Sequence, residues 1–279
     1  VSVARLRASD LTAPYHGVRV ARAPVGIVQL ARAYSPRLLP GQYFSHTTAA
    51  VLLGLRMPEG FVETAVHVTS PAPLRAPRGK GVVGHQSTRN PPIREANGLV
   101  VSSPIDTWTS LAAVLGREDL IAMGDGLVCR KRPAATLTQL RSAVSAFEGR
   151  GALALRHCIE QVRPGTDSHR ETQLRRLVIR WGFPEPEVNG VIRNSFGAVI
   201  AHGDLVFRAY RTILEYDGGH HRESDRQFAI DIDRLDSIME QRWRVIRVNK
   251  SLMARRATLV GKLDTALRQA GWSPASGAN

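Results

Sequence analysis

The sequence predicts a two-domain chain of the α+β or α/β class. A mixed sheet of about four strands flanked by helices forms the C-terminal core, after a smaller α+β N-terminal domain. Three observations predict this. The 279 residues suffice for two separate cores, and 43% are hydrophobic, as in ordinary globular proteins. Turn-formers at Arg163-Pro164-Gly165-Thr166-Asp167 interrupt the helical patterns and divide the chain into residues 1–164 and 165–279. Beyond that point, helical and period-2 segments follow in the order α, β, β, β, α, β, α.

In the first part, residues 17–43 read as short strands, with VGIVQLARA alternating in part, and Ser45 is placed to cap a helix through HTTAAVLLGL. FVETAVHVTS at 61–70 reads as a strand, and the Pro-, Arg- and Gly-rich stretch 71–82 as a loop leading to GVVGHQS. Segments 102–116 and 117–130 begin at polar caps and carry apolar faces, so they read as helices. TLTQLRSAVSAF and GALALRHCIEQV complete a mainly helical region. His46, His67 and His85 fall in separate elements without ligand spacing and are not expected to form a site. Arg75, Arg78 and Lys80 make the loop a candidate nucleic-acid-binding segment through phosphate contacts, or simply a solvated loop.

In the second part, Ser168-His169-Arg170-Glu171 has the pattern of a capping box, and Leu174, Leu177, Val178 and Trp181 follow at helical spacing before Gly182 and Pro184. Two strands flank Asn194–Gly197, RTILEYD supplies a third, and WRVIRVN at 243–249 a fourth. Between them, Phe228, Ile232, Leu235 and Met239 are spaced to pack one helical face on the sheet, and a final helix covers 251–270.

The net charge of +14 attracts phosphate-rich partners, DNA foremost, although an Arg-rich, Ala- and Gly-rich chain also results from a GC-rich genome. The excess lies mainly upstream: residues 1–164 hold 20 basic and 10 acidic residues, the remainder 18 and 14. No apolar run approaches the roughly 18 residues of a membrane span, and no long apolar leader opens the chain. The two cysteines, Cys129 and Cys158, argue against a disulfide scaffold and against a zinc site, so a reducing, cytoplasmic setting is expected.

The acidic residues of the C-terminal hairpin carry the functional expectation. Alternation outward from a turn at Ala209-Tyr210 pairs Val206 with Ile213, Leu205 with Leu214 and Asp204 with Glu215. Asp204, Val206, Ile213, Glu215 and Asp217 then share one face, and Leu205, Phe207, Leu214 and Tyr216 the other. Like charges directly opposed across a ladder repel, so a cation is expected between Asp204 and Glu215. Mg²⁺ or Mn²⁺ suits such carboxylates, and in phosphodiester cleavage it polarises phosphate and activates water. Glu215 and Asp217 have a plainer reading as strand-end acids paired with Arg208, Arg211 or Arg222. Glu171 is either a cap residue or an accessory acid; His220 and His221, after Gly218-Gly219, are candidate proton-transfer groups or exposed loop residues. Asp231 and Arg234, a helical turn apart, form a local ion pair or support the histidines or a phosphate.

Taken together, Glu171, Asp204, Glu215-Tyr216-Asp217-Gly218, His220-His221, Asp231, Arg234 and WRVIRV resemble an actinobacterial family. Its C-terminal domain is similar to the very-short-patch mismatch-repair endonuclease, within the PD-(D/E)XK restriction-endonuclease-like fold. The resemblance covers about residues 165–272. SHTTAAVLLGL and SSPIDTWTSLAAVLGREDLIAMGDGLV are similar to the abortive-infection antitoxin-like region that often precedes such a domain. The resemblance implies a metal-dependent endodeoxyribonuclease in defence, toxin-antitoxin or repair. Asp204 and Glu215 would be metal ligands, Glu171 an accessory acid, and His221, with His220 as competitor, the proton-transfer group. It also implies an N-terminal part that binds nucleic acid or a protein partner. The general nuclease pattern has Lys where this chain has Asp217. Either a histidine or an Arg takes that role, or Asp217 is a further ligand, or the chain is an inactive DNA-binding or antitoxin-like regulator.

Overall fold

The computed structural model describes residues 8–89, 91–218 and 225–274, the side chains of 225–231 excepted. His220, His221 and the Asp231 side chain lie outside the described residues. The protein is a mixed α+β chain with a five-stranded and a four-stranded mixed sheet, each flanked by helices. Contacts divide it into two compact units, one running to Leu127 and from Pro133 to Val162, the other comprising Val128–Arg132 and the chain from Arg163. The N-terminal unit is the larger of the two, where a smaller N-terminal domain was expected, and residues 93–102 add two strands to its sheet.

The first unit contains α1 (Gly26–Tyr34), β1 (Tyr43–Phe44), α2 (His46–Leu52), β2 (Val66–Pro71), β3 (Val82–Ser87), β4 (Ile93–Ala96), β5 (Leu99–Ser102), α3 (Pro104–Ser110), α4 (Arg117–Leu127), α5 (Leu137–Ser145) and α6 (Ala152–Ile159). Its sheet order is β3-β2-β1-β5-β4, with β1–β5 and β2–β3 parallel and the other pairs antiparallel. The segment expected to be strand within 17–43 is instead helix α1. Ile27, Ala31 and Tyr34 recur at helical spacing, and all three are buried against Phe44, Val68 and Val101, which outweighs the partial alternation of VGIVQLARA. The strand expected over 61–70 begins only at Val66, because the Glu63 carboxylate accepts the backbone N–H groups of Thr64 and Ala65 and turns the chain there.

The second unit contains α7 (His169–Arg180), β6 (Glu187–Arg193), β7 (Val199–Phe207), β8 (Thr212–Tyr216), α8 (Asp225–Glu240), β9 (Arg244–Val248), α9 (Lys250–Ala254) and α10 (Arg256–Gln269). The sheet order is β6-β7-β8-β9, antiparallel except for the parallel β8–β9 pair. The final helix expected over 251–270 is broken at Arg255, which leaves helical geometry at φ −89°, ψ 68°. One sheet face packs Leu205, Phe207, Leu214 and Ile246 against Leu174 and Val178 of α7 and Leu259, Leu263 and Leu267 of α10. The other packs Ile192, Ala201, Val206 and Ile213 against Ile238 of α8.

The hairpin register is the one alternation predicts, Leu205 opposite Leu214 and Val206 opposite Ile213, but the connection is a 3-10 turn at Arg208–Tyr210 followed by Arg211 in the left-handed region. The face of α8 differs from expectation: Ile232 and Met239 are exposed, while Ile238 is fully buried and Arg234 and Leu235 are half-buried. The helix is rotated so that Arg234 reaches the sheet. Phe228 falls among the side chains outside the description.

Candidate functional site

Two clusters of chemistry-bearing side chains form, one in each unit. In the second, strand pairing brings Asp204 on β7 and Glu215 on β8 to the end of the hairpin away from its turn, and the N-terminus of α7 adds Glu171. The Ser168 hydroxyl accepts the N–H of Glu171 at 3.1 Å, so the cap forms, but the reciprocal half of the capping box does not close on Ser168. The Glu171 carboxylate instead accepts the Asp167 N–H at 2.7 Å and the Asn189 side-chain amide at 3.2 Å. Asn189 interrupts the regular pleat of β6 at φ 48°, a conformation Asn tolerates better than most residues. The neighbouring Gly190 and Gly203 face one another across β6 and β7, and a Cβ on Gly203 would lie 2.6 Å from Ile213 Cγ2.

A guanidinium stands beside the hairpin acids. Arg234 of α8 donates to both oxygens of Glu215, at 2.7 and 3.0 Å, a bidentate pair that neutralises one of the opposed acids. Asp204 Oδ2 accepts the Tyr216 N–H at 2.8 Å. Burial, reinforced by the nearby charge of Glu171 and then of Glu215, pushes the Asp204 carboxyl up to about 7, against the Tyr216 hydrogen bond and Arg234, which pull it down.

Asp217 is tied to Arg247 of β9 at 2.9 Å, consistent with the parallel register that sets Arg247 beside Glu215. The partners the plainer reading offered these acids are engaged elsewhere or not described: Arg208 pairs with Glu187, Arg211 donates to the Gln241 carbonyl, and Arg222 lies outside the described residues. On the far side of Glu171, Asp167 holds Arg130 by hydrogen bond and Lys131 at 3.3 Å. That hydrogen bond, with the field of Asp167, Glu171 and Asp204, raises the Arg130 pKa. Arg130, Lys131 and Asn189 were not singled out from the sequence; the basic run Arg130-Lys131-Arg132 was the available signal, and only folding places it in the second unit. A cavity of about 790 Å³ in this unit opens at the turn end of the hairpin, lined by Arg193, Arg208, Arg211 and Arg242, and the acids are not among its walls.

In the first unit, Arg78 and Lys80 join Arg19 and Arg37 around a cavity of about 420 Å³, while Arg75 is exposed and its carbonyl accepts the Ser70 hydroxyl. The second cluster corrects the expectation for the histidines: His46, His67 and His85 converge. Alternation in β2 turns His67 away from the buried Val66 and Val68, the parallel register aligns His85 with Thr69, and His46 begins α2 directly after β1. Among the described residues, theirs is the group of three ligating side chains whose nitrogens all lie within 4.8 Å of one another; the acids form no such group of three. His67 Nδ1 lies 3.1 Å from His85 Nε2, and the His46 and His85 rings stack at 3.7 Å. His67 Nε2 is 3.3 Å from Glu63 Oε2, and His46 Nδ1 is 2.9 Å from the Ser45 hydroxyl. Burial lowers all three imidazole pKa values, that of His46 to about 3 and that of His85 to about 4, with mutual repulsion adding to both.

Among the described residues no helix is long and apolar enough to cross a membrane. Compared with known proteins, the chain matches no family model, no curated protein and no solved structure.

Proposed function

We propose that the second unit is a divalent-cation-dependent phosphodiesterase acting on DNA, a restriction-endonuclease-like core with Glu171, Asp204 and Glu215 at its centre. One observation carries the reading. Three carboxyl groups from α7, β7 and β8 gather at one sheet end, and burial, with the charge of Glu171, pushes the carboxyl of one of them, Asp204, up to about 7. Crowded, partly desolvated acids cost stability, and perturbed carboxyls of this kind concentrate at functional sites. The donor set is all oxygen, which fits Mg²⁺ or Mn²⁺ in chemistry. For such an ion to be shared by Asp204 and Glu215, Arg234 must yield one of the two Glu215 oxygens it holds. The bound ion would supply charge to the phosphate and acidify its water.

The chain's own residues divide the remaining work. Asp204, which accepts the Tyr216 N–H, and Glu215 would hold the ion, with Glu171 as the accessory acid beside them. Arg130 and Lys131, beside Asp167, face phosphate oxygens, and the exposed Arg247, partnered with Asp217, brings a guanidinium to the strand end where the general nuclease pattern carries Lys. The resemblance adds His221 or His220 to this set; within the first unit, Arg75, Arg78 and Lys80 are a separate candidate phosphate-binding segment.

Cleavage of supercoiled plasmid with Mg²⁺ or Mn²⁺ tests the reading. We expect nicking that stops on chelation and falls at least a hundredfold in Asp204→Asn and in Glu215→Gln. A specific observation favours a second reading: both Glu215 oxygens are already held by Arg234, so that acid is neutralised without a metal. On that reading the chain is a non-catalytic DNA-binding or antitoxin-like regulator. Salt-sensitive DNA binding with no cleavage under any divalent ion would establish it and reject the nuclease.

A further inference from the structure

We propose that His46, His67 and His85 form a transition-metal site of the Zn²⁺ class, independent of the acidic cluster, with three imidazole ligands and a fourth position open to a cavity. The geometry assigns each ring nitrogen. His67 presents Nδ1 to the cluster, 3.1 Å from His85 Nε2, while its Nε2 points at Glu63 3.3 Å away. A tetrahedral ion with Zn–N bonds of about 2.0–2.1 Å sets its ligand nitrogens roughly 3.3 Å apart, so the two facing nitrogens already stand near the edge of such a tetrahedron. His46 engages Ser45 through Nδ1, which leaves Nε2 for the ion.

The surroundings have the form that supports a metal. A ligating histidine characteristically donates its second ring N–H to a carboxylate, which fixes the tautomer and strengthens the ligand. Glu63 is held for that purpose by the Thr47 hydroxyl at 2.8 Å and by two backbone N–H groups at 2.9 and 3.1 Å. Ser45, the partner of His46, is itself fixed by the Thr69 hydroxyl at 2.7 Å. Two backbone features hold the rings in place. His46 adopts φ 51°, unfavourable for a residue with a Cβ, and such outliers concentrate where a side chain must be aimed. Gly84, next to His85, lies under Pro77, whose carbonyl oxygen would be 2.0 Å from any Cβ, so the loop from β2 closes down only over glycine there.

An imidazole binds an ion through the lone pair of one ring nitrogen, and each of the three rings brings one nitrogen within 4.8 Å of the other two. His46 and His85 also border a cavity of about 400 Å³ with Tyr43, Ser87, Arg89 and Asp106. Three neutral nitrogen ligands and an open fourth position are the donor set of Zn²⁺ sites that hold a water or a substrate oxygen, and imidazole does not select Mg²⁺. To share one ion, the stacked rings of His46 and His85 must splay from their nearly parallel arrangement, 14° between planes.

The test titrates the full chain, stripped by chelator, with Zn²⁺ against a competing chromophoric chelator, with elemental analysis for stoichiometry. We expect one tightly held Zn²⁺ per chain, a four-coordinate visible spectrum with Co²⁺, and at least a hundredfold weaker binding in His67→Ala and His85→Ala that remain folded by circular dichroism. Glu63→Gln should keep the stoichiometry while binding ten- to a hundredfold more weakly. Long-range ¹H–¹⁵N spectra of the wild-type chain need no variant: on Zn²⁺ addition Nδ1 of His67 and Nε2 of His46 and His85 should shift. Absence of Zn²⁺ binding, or binding that leaves these three rings unshifted, would overturn the site and show a hydrogen-bonded histidine cluster instead.

Discussion

Asp204 sits where its charge is least welcome, at the mouth of a desolvated sheet end with Glu171 and Glu215 as neighbours. Its folded pKa of about 7 exceeds the ordinary 3.8, so the folded chain binds more protons than the unfolded chain between those values. The stability this group contributes is therefore fully present below about pH 4 and lost as pH rises through 7, by at most ~4 kcal/mol. Asp204→Asn keeps the shape and an acceptor for the Tyr216 N–H but removes the titration. We expect the variant to be more stable than wild type at pH 8 and equal to it near pH 4, read by urea denaturation at both values. Parallel pH profiles for the two proteins would place the perturbed proton elsewhere. A gain in stability together with a loss of cleavage would be the usual exchange of an active-site acid for a relaxed one. Glu215 differs, because Arg234 already satisfies it. The candidacy of Asp204, Glu215 and Asp217 was legible from alternation, since facing positions on a hairpin follow from period 2. Their partners were not, because Arg234 and Arg247 arrive from elements joined only by tertiary packing.

At the scale of elements, the β7–β8 hairpin is the device that brings the two acids to one strand end, and its close packing depends on Gly203. A methyl there would meet Ile213 Cγ2 at 2.6 Å and Val206 Cγ2 at 2.9 Å, both in the core under α8. Gly203→Ala should cost about 1–3 kcal/mol and lower the midpoint of thermal unfolding by several degrees, measured by circular dichroism. An unchanged midpoint would mean that the sheet yields there without penalty. Helix α7 shows how a local signal is partly reused: Ser168 caps it as the sequence indicates, while Glu171 turns from the cap to Asp167 and Asn189 and so enters the acidic cluster. Helix α8 shows the limit of periodicity. Apolar residues at helical spacing located the helix, but its angular setting, with Ile238 buried on the sheet and Arg234 on Glu215, leaves Ile232 and Met239 in solvent. In α1 the competition runs between two periods within nine residues, and burial of Ile27, Ala31 and Tyr34 decides for the helix.

For the whole molecule, the charge of +14 is the property most directly tied to a partner. Basic side chains border cavities in each unit, Arg19, Arg37, Arg78 and Lys80 in one and Arg193, Arg208, Arg211 and Arg242 in the other. If roughly five of these cations neutralise phosphates, binding to duplex DNA should weaken by on the order of 10²–10³ between 50 and 200 mM salt, as fluorescence anisotropy would read it. Affinity that ignores salt would remove the electrostatic basis for a nucleic-acid partner. The division into two units was legible near Pro164 because turn-formers there separate two helical patterns. The placement of Val128–Arg132 with the second unit was not, since a short basic segment carries no local mark of the unit it packs with.

The sequence alone determined what local physics dictates: the order of elements in the second unit, the register of its hairpin, the cap of α7 and the face shared by Asp204 and Glu215. Each rests on a period or a turn confined to a few consecutive residues. Tertiary structure alone decided which cation meets the acids, and that His46, His67 and His85 meet at all. Those histidines stand on a helix start and on two parallel strands that pair across a long connection, so their approach is fixed by strand order and burial and leaves no trace in their spacing along the chain.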